Sequence, residues 1–230
     1  DSGVDVQTAN AGTINSAYIE NNGAQGIYIS TAKTVTLNSI SSKNNSANGI
    51  LIDGWGGLYP TVVTISSPKS GGGIMANHIE SNGEDGVKIF AKGPITLTNI
   101  DSTYNMGSGI VLDNCLYNSE TGLCAGSGNV TMNVTISNWH NGLTNNNSYG
   151  LWVLSKGVVA VNQTNTDTNG YEGMYVDTQG AIKLSQVSAS YNNRNGAYLT
   201  NLSAPKAQLC IVLDSVFDQN YGMGIYETEE

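Results

Sequence analysis

Three aspartates are the first place to look for chemistry. Asp53, Asp113 and Asp177 each stand four residues after a glycine that opens a Gly-apolar-any-apolar run. Two carboxyl groups facing one glycosidic bond can hydrolyse it, one as acid and one as base, when they lie roughly 6.5–9.5 Å apart. Asp after a strand is also a common turn residue, so a turn role explains the same three positions. A second set of residues is suited to binding. Trp55, Tyr59, Lys88, Phe90, Lys92 and Tyr117 combine aromatic faces with cations, and Trp152, Tyr175 and Tyr198 recur as a stripe. Such surfaces take sugar rings or a neighbouring protein; for the stripe, plain ring stacking is the alternative. Cys115 and Cys124, nine positions apart in a stretch with no core pattern, are expected to form a disulfide, which suits an oxidising compartment. Cys210 is left over, as a buried strand thiol or an intermolecular link. His78 and His140 stand apart from the cysteines and no calcium-binding repeat occurs, so neither a metal nor a cofactor is expected.

What positions these residues is a repeat. The Gly-apolar-any-apolar run begins at Gly3, Gly26, Gly49, Gly86, Gly109, Gly150, Gly173 and Gly196, and once more at Gly224 with Glu227 in its last place. Five of the eight spacings are 23 residues; the others, 37, 41 and 28, exceed it by 14, 18 and 5. Asn stands four residues ahead of every mark but the first, at Asn22, Asn45, Asn82, Asn105, Asn146, Asn169, Asn192 and Asn220. Another alternating pair follows many of the runs: Val35/Leu37, Ile95/Leu97, Val159/Val161, Ile182/Leu184 and, shifted, Ile211/Leu213. A third apolar site follows at Ile40, Ile100, Val187 and Val216. Period-2 alternation broken by turn residues marks short strands.

Three short strands in about 23 residues make one coil of a parallel β-helix, and stacked coils bury a continuous core that no single coil can. The expected fold is all-β: a right-handed parallel β-helix (β-solenoid) of about eight coils, forming a single domain over residues 1–230. Right-handedness follows the strong bias of parallel crossovers. The extra residues are expected as three loops, about 54–73, 114–129 and 201–205, all leaving one corner just after the first strand. The coil with Gly86 and Phe90 has no such loop and becomes the floor of a groove between two of them. The asparagine column is read as structural. Each amide satisfies turn backbone groups and bonds the same Asn one coil away, and Asn tolerates left-handed backbone. The outward position two residues after each Gly runs Asp5, Tyr28, Leu51, Lys88, Val111, Trp152, Tyr175, Tyr198, Tyr226.

On these motifs the chain resembles the right-handed parallel β-helix repeat proteins over essentially its whole length. That group includes pectate-lyase-like folds and the long solenoids of bacterial or archaeal surface adhesins. The resemblance implies a fold much more than a function. For lyases of the group it implies an Arg or Lys base with cations, and for the polygalacturonase-like hydrolases clustered Asp with His and Arg-x-Lys. This chain has a single Arg, Arg194, no adjacent Asp pair, and Val87-Lys88-Ile89 where the Arg would be needed. On alternate coils Asp53, Asp113 and Asp177 would stand about 10 Å apart, just outside the inverting window.

Charge narrows the partners. Lys and Arg number 9 against 18 Asp and Glu, a net charge of −9. Nucleic acid and anionic membrane surfaces are therefore not expected partners, and no apolar run is long enough to insert in a bilayer. The first and last runs fall on the same strand with no amphipathic cap, so those ends are expected to meet other subunits or to be cut from a longer rod. The expected function is a non-catalytic, extracellular structural β-solenoid, a segment of a cell-surface adhesin or self-assembling filament or sheath. Its partners would be other copies of itself or flanking repeats of a longer chain, with polysaccharide as a further partner. The alternatives are a carbohydrate-binding module and a polysaccharide hydrolase or lyase.

Overall fold

The computed structural model describes residues 1–54, 56–67, 77–120, 123–136, 139–201, 204 and 208–228. Among these residues there is no helix. The strands form a nine-stranded and an eleven-stranded parallel sheet, plus a small antiparallel hairpin of Tyr117–Asn118 with Leu123–Cys124. This all-β arrangement of long parallel sheets is consistent with a β-solenoid.

Each glycine mark opens one strand of the nine-stranded sheet. Its register runs Val4, Ile27, Ile50, Val87, Ile110, Leu151, Met174, Ala197, Ile225, every pair parallel. The two apolar residues of every run but the last point inward; Ile27, Ile29, Ile50, Ile52, Val87 and Ile89 are fully buried, whereas Ile225 is exposed. A slip of one residue would turn them all to solvent, so the pattern fixes the register. The eleven-stranded sheet supplies the rest of the wall. Gly12–Glu20 and Val35–Lys43 each run through it as one bent strand, with the bend at Ser16 and Ser39, where φ is 53° and 55°.

The marked glycines are not there for an unusual φ. A Cβ on Gly109 would stand 2.7 Å from Asn146 Nδ2 and 2.7 Å from Gly150 O. Gly49, Gly86, Gly150, Gly173 and Gly196 face the matching two atoms of the following repeat at 2.5–2.7 Å. Glycine and asparagine therefore recur together because one makes room for the other. Nor do the column asparagines take the left-handed backbone. That falls one residue earlier, on Asn21, Asn44, Ser81, Tyr104, Asn145, Thr168, Tyr191 and Gln219, at φ 53–61°.

The strand register corrects the placement of the extra residues. Val63–Ser66, inside the expected 54–73 loop, is a strand paired with Val35–Asn38 and with Ile95–Leu97. Five extra residues precede it and nine follow it, by comparison with the unlengthened repeat of Val35–Lys43. In the repeat with the expected 114–129 loop, twelve extra residues precede Val130–Asn133 and six more follow. The last lengthened repeat takes all five before Cys210–Leu213. All three thus leave the first corner, and two also leave the second. The third corner is never lengthened. Tyr18, Ser41, His78, Asp101, Gly142, Asn165, Ser188 and Val216 align in register, and each stands eight residues before a marked glycine. In the last repeat Cys210 and Val212, rather than Ile211 and Leu213, align with Ile182 and Leu184. Cys210 thus takes the inward position, packed against the core and outside the disulfide.

Where the second corner is lengthened, asparagine supplies the acceptor that a neighbouring strand would otherwise provide. Asn77 Oδ1 accepts the Ile40 N–H at 2.9 Å and Asn141 Oδ1 accepts the Ile100 N–H at 3.0 Å; both side chains are fully buried.

Candidate functional site

The eight column asparagines form one continuous hydrogen-bonded chain at the unlengthened corner. The backbone N–H and Nδ2 of each donate to Oδ1 of the next, from Asn22 to Asn220, at 2.8–3.2 Å. The six inner members are buried. Every donor in the chain faces the same way along the stack. This hydrogen-bonded edge holds successive repeats in step.

The groove lies at the first corner. Phe90 ends the strand Val87–Phe90, whose repeat is unlengthened, and lies in the floor. Leu58 and Tyr59 form one wall, Leu116 and Tyr117 the other, and Lys92 and Asp113 complete a groove of about 430 Å³. Of the residues expected there, Tyr59, Phe90, Lys92 and Tyr117 come together. Lys88 does not line the groove; it sits on the outward line of the strand, paired with Asp85 at 3.1 Å. Trp55 lies outside the described residues. The wall bearing Tyr117 is closed by the Cys115–Cys124 disulfide, Cα–Cα 4.5 Å, and Lys156 Nζ donates to Cys124 O at 2.9 Å.

The three aspartates are not brought together. Phe90 lies between Asp53 and Asp113 in the register, and Leu154 between Asp113 and Asp177. Each gap spans two strand spacings, about 10 Å. Asp177 lines a separate cavity, with Leu154, Ser155, Cys115 and Tyr117. Asp53 Oδ1 accepts the Gly54 N–H at 2.6 Å, and Asp113 Oδ1 accepts the Leu116 N–H at 2.7 Å, as turn aspartates do.

Burial holds the Asp113 carboxyl above its ordinary value of 3.8, against the opposing pull of the Leu116 and Cys115 N–H groups. A raised carboxyl pKa means the folded state keeps its proton longer than the unfolded chain. The contribution favours folding at low pH and is lost as pH rises through the folded value. Asn at this position keeps the acceptor for Leu116 and removes the charge. Asp113→Asn is therefore expected to melt higher than the parent at pH 7, with the gap closing toward pH 3. Melting curves across that range check it; a gap that widens in acid contradicts the assignment.

The stripe is a stack of rings. Trp152–Tyr175, Tyr175–Tyr198 and Tyr198–Tyr226 have centroids 6.1, 5.2 and 4.9 Å apart, with interplanar angles of 12°, 16° and 34°. Rings this close cover each other's faces and present edges to solvent. Tyr198, in the middle, makes two of these contacts at about 0.5–1.5 kcal/mol each. Tyr198→Ala is expected to lower stability by about 1–3 kcal/mol, read as a shifted urea midpoint with an unchanged slope.

Sequence reasoning missed a neighbouring group. Tyr149 stacks on Tyr171 at 5.5 Å and meets Tyr175 edge-on at 6.0 Å, and Arg194 lies 4.4 Å over the Tyr171 ring. The signal was present: Tyr171 and Arg194 both stand two residues before a marked glycine, on neighbouring repeats. Among the described residues, no group of three or more His, Cys, Asp or Glu is placed to hold a metal ion. A scan of protein-family models and searches of curated proteins and of solved structures gave no match. The fold is an all-β, parallel-sheet scaffold consistent with a β-solenoid, and it bears a loop-walled groove beside Phe90.

Proposed function

We propose that the chain is a non-catalytic structural β-solenoid, a right-handed β-helix of about eight coils, serving as a segment of a cell-surface adhesin or self-assembling filament outside the cytoplasm. The observation that carries this reading is the one-way asparagine chain. The bond has the same form from each asparagine to the next, so a repeat of a second copy or of a flanking stretch of chain can join the column, with its strands on the same parallel sheets. Such a contact joins unlike faces and propagates as a filament. The disulfide supports an oxidising location. The separation of Asp53, Asp113 and Asp177 favours this reading over a two-carboxylate hydrolase.

One residue tempers the contact. Glu227 aligns with the inward Leu199, at the position where a second copy would set Val6. An inward charge on a strand resists its pairing with a further one. The test is sedimentation of the full chain across concentration, with Glu227→Val beside it. Concentration-dependent species that form at lower concentration in the variant are expected. Monomers only, for both proteins at all concentrations, would overturn self-assembly.

A further inference from the structure

We infer that the groove floored by Phe90 is a binding site for a neutral glycan chain. The inference stands apart from the assembly reading, because the groove lies at the first corner and the asparagine chain at the third.

The shape comes first. The groove, about 430 Å³, lies within the usual range for small-ligand sites, roughly 300–1,000 Å³. It exists because an unlengthened repeat lies between two lengthened ones, so its walls belong to the fold and do not depend on a ligand to form. The disulfide beneath Tyr117 fixes one wall, since Tyr117 lies between Cys115 and Cys124 in the stapled loop.

The lining then selects the ligand. Phe90, Tyr59 and Tyr117 supply aromatic surface, while Lys92 supplies donors and Asp113 acceptors. A pyranose ring matches that mixture, because its C–H faces are apolar while its hydroxyls both donate and accept. A purely apolar ligand would strip water from Lys92 and Asp113 without replacing its bonds. An acidic glycan matches less well. It brings a carboxylate or sulfate to a wall that already holds Asp113, on a chain of net charge −9, where Lys92 is the only cation lining the groove among the described residues. Lys88, on the strand that Phe90 ends, is engaged with Asp85. The stacked tyrosine stripe is the weaker sugar platform, since its rings cover one another's faces at 4.9–6.1 Å.

The test is calorimetric titration of the full, disulfide-bonded chain. The probes are cellohexaose, mannohexaose, maltohexaose and xylohexaose against hexagalacturonate and a heparin hexasaccharide. At least one neutral probe is expected to bind with Kd below about 1 mM, and the acidic probes more weakly. Tyr117 is exposed, so Tyr117→Ala tests the wall without disturbing the core. That variant and Lys92→Ala are expected to raise Kd at least about tenfold with the melting temperature retained, while Tyr198→Ala leaves Kd within about twofold. Binding of no neutral probe, tighter binding of an acidic one, or loss in Tyr198→Ala with Tyr117→Ala unaffected would each overturn the proposal. None of these results bears on sedimentation, so the two readings fail separately.

Discussion

Asn105→Ala is expected to cost about 3–5 kcal/mol of stability, a large share of the roughly 5–15 kcal/mol typical of a folded domain. Asn105 Oδ1 accepts both the backbone N–H and the Nδ2 of Asn82, and all of these atoms are buried. Alanine leaves two donors unpaired away from water, at about 1–3 kcal/mol each. It also removes the side-chain donor toward Asn146 Oδ1 and Ser102 Oγ, and it leaves a gap. Asn105→Asp keeps an acceptor but places a charge in the chain, so it is expected to be worse than Ala at neutral pH and to recover partly in acid. Asn22, half-buried at the end of the chain, is the control, with an expected loss below about 1 kcal/mol. Urea unfolding of the three variants measures this directly. Equal losses for Asn22→Ala and Asn105→Ala would mean that the buried chain is not what stabilises the corner.

The second large effect is expected from one added methyl group. Gly109→Ala sets a Cβ where Asn146 Nδ2 and Gly150 O already stand, each 2.7 Å away, with Ser102 O at 3.1 Å. Real side chains do not approach backbone that closely, so neighbouring repeats must part, at about 2–3 kcal/mol. The same substitution at Gly12 meets only Ile29 Cγ2, at 3.7 Å, which is ordinary contact. There the variant is expected to be neutral or slightly stabilised, because alanine restricts the unfolded chain. Thermal melts of both variants separate a crowding penalty from a general cost of losing glycine. A matched loss at both positions would discard the crowding account.

Much of this architecture was legible because parallel stacking repeats itself. A recurring Gly-apolar-any-apolar run states both the period and the inward face, and Asn four residues earlier is the partner that makes the glycine necessary. The groove was legible for a similar reason: Gly86 to Gly109 is one unlengthened repeat with long ones on both sides. The features without a sequence signal are local. Val63–Ser66 is as apolar and alternating as any strand, but it lies among glycines and serines and beyond a shifted period, so spacing alone assigns it to a loop. Asn77 and Asn141 occupy inward positions where an apolar residue is the rule. Their role follows from the lengthened second corner, which takes the backbone acceptor away from Ile40 and Ile100. The last strand sits one residue earlier than the Ile211/Leu213 pair suggests, because in the apolar stretch Cys210–Leu213 period-2 alternation does not say which pair faces inward. The left-handed residues carry no common type, Ser, Asn, Tyr, Thr and Gln all serving, so no composition signal marks them.

The corner that is never lengthened has a consequence for how such a chain changes over generations. Eight residues from the aligned third-side position to the next marked glycine act as a reading frame in space. One residue added there would move an asparagine out of its column and a glycine away from its partner, and the error would fall on the repeats on either side. Residues added at the other two corners leave the frame intact, as the repeats lengthened by five, twelve, nine and six residues show. Insertions are thus sorted by edge before they are sorted by size. A lineage built this way can exchange its surface loops one at a time and keep the same rod beneath them.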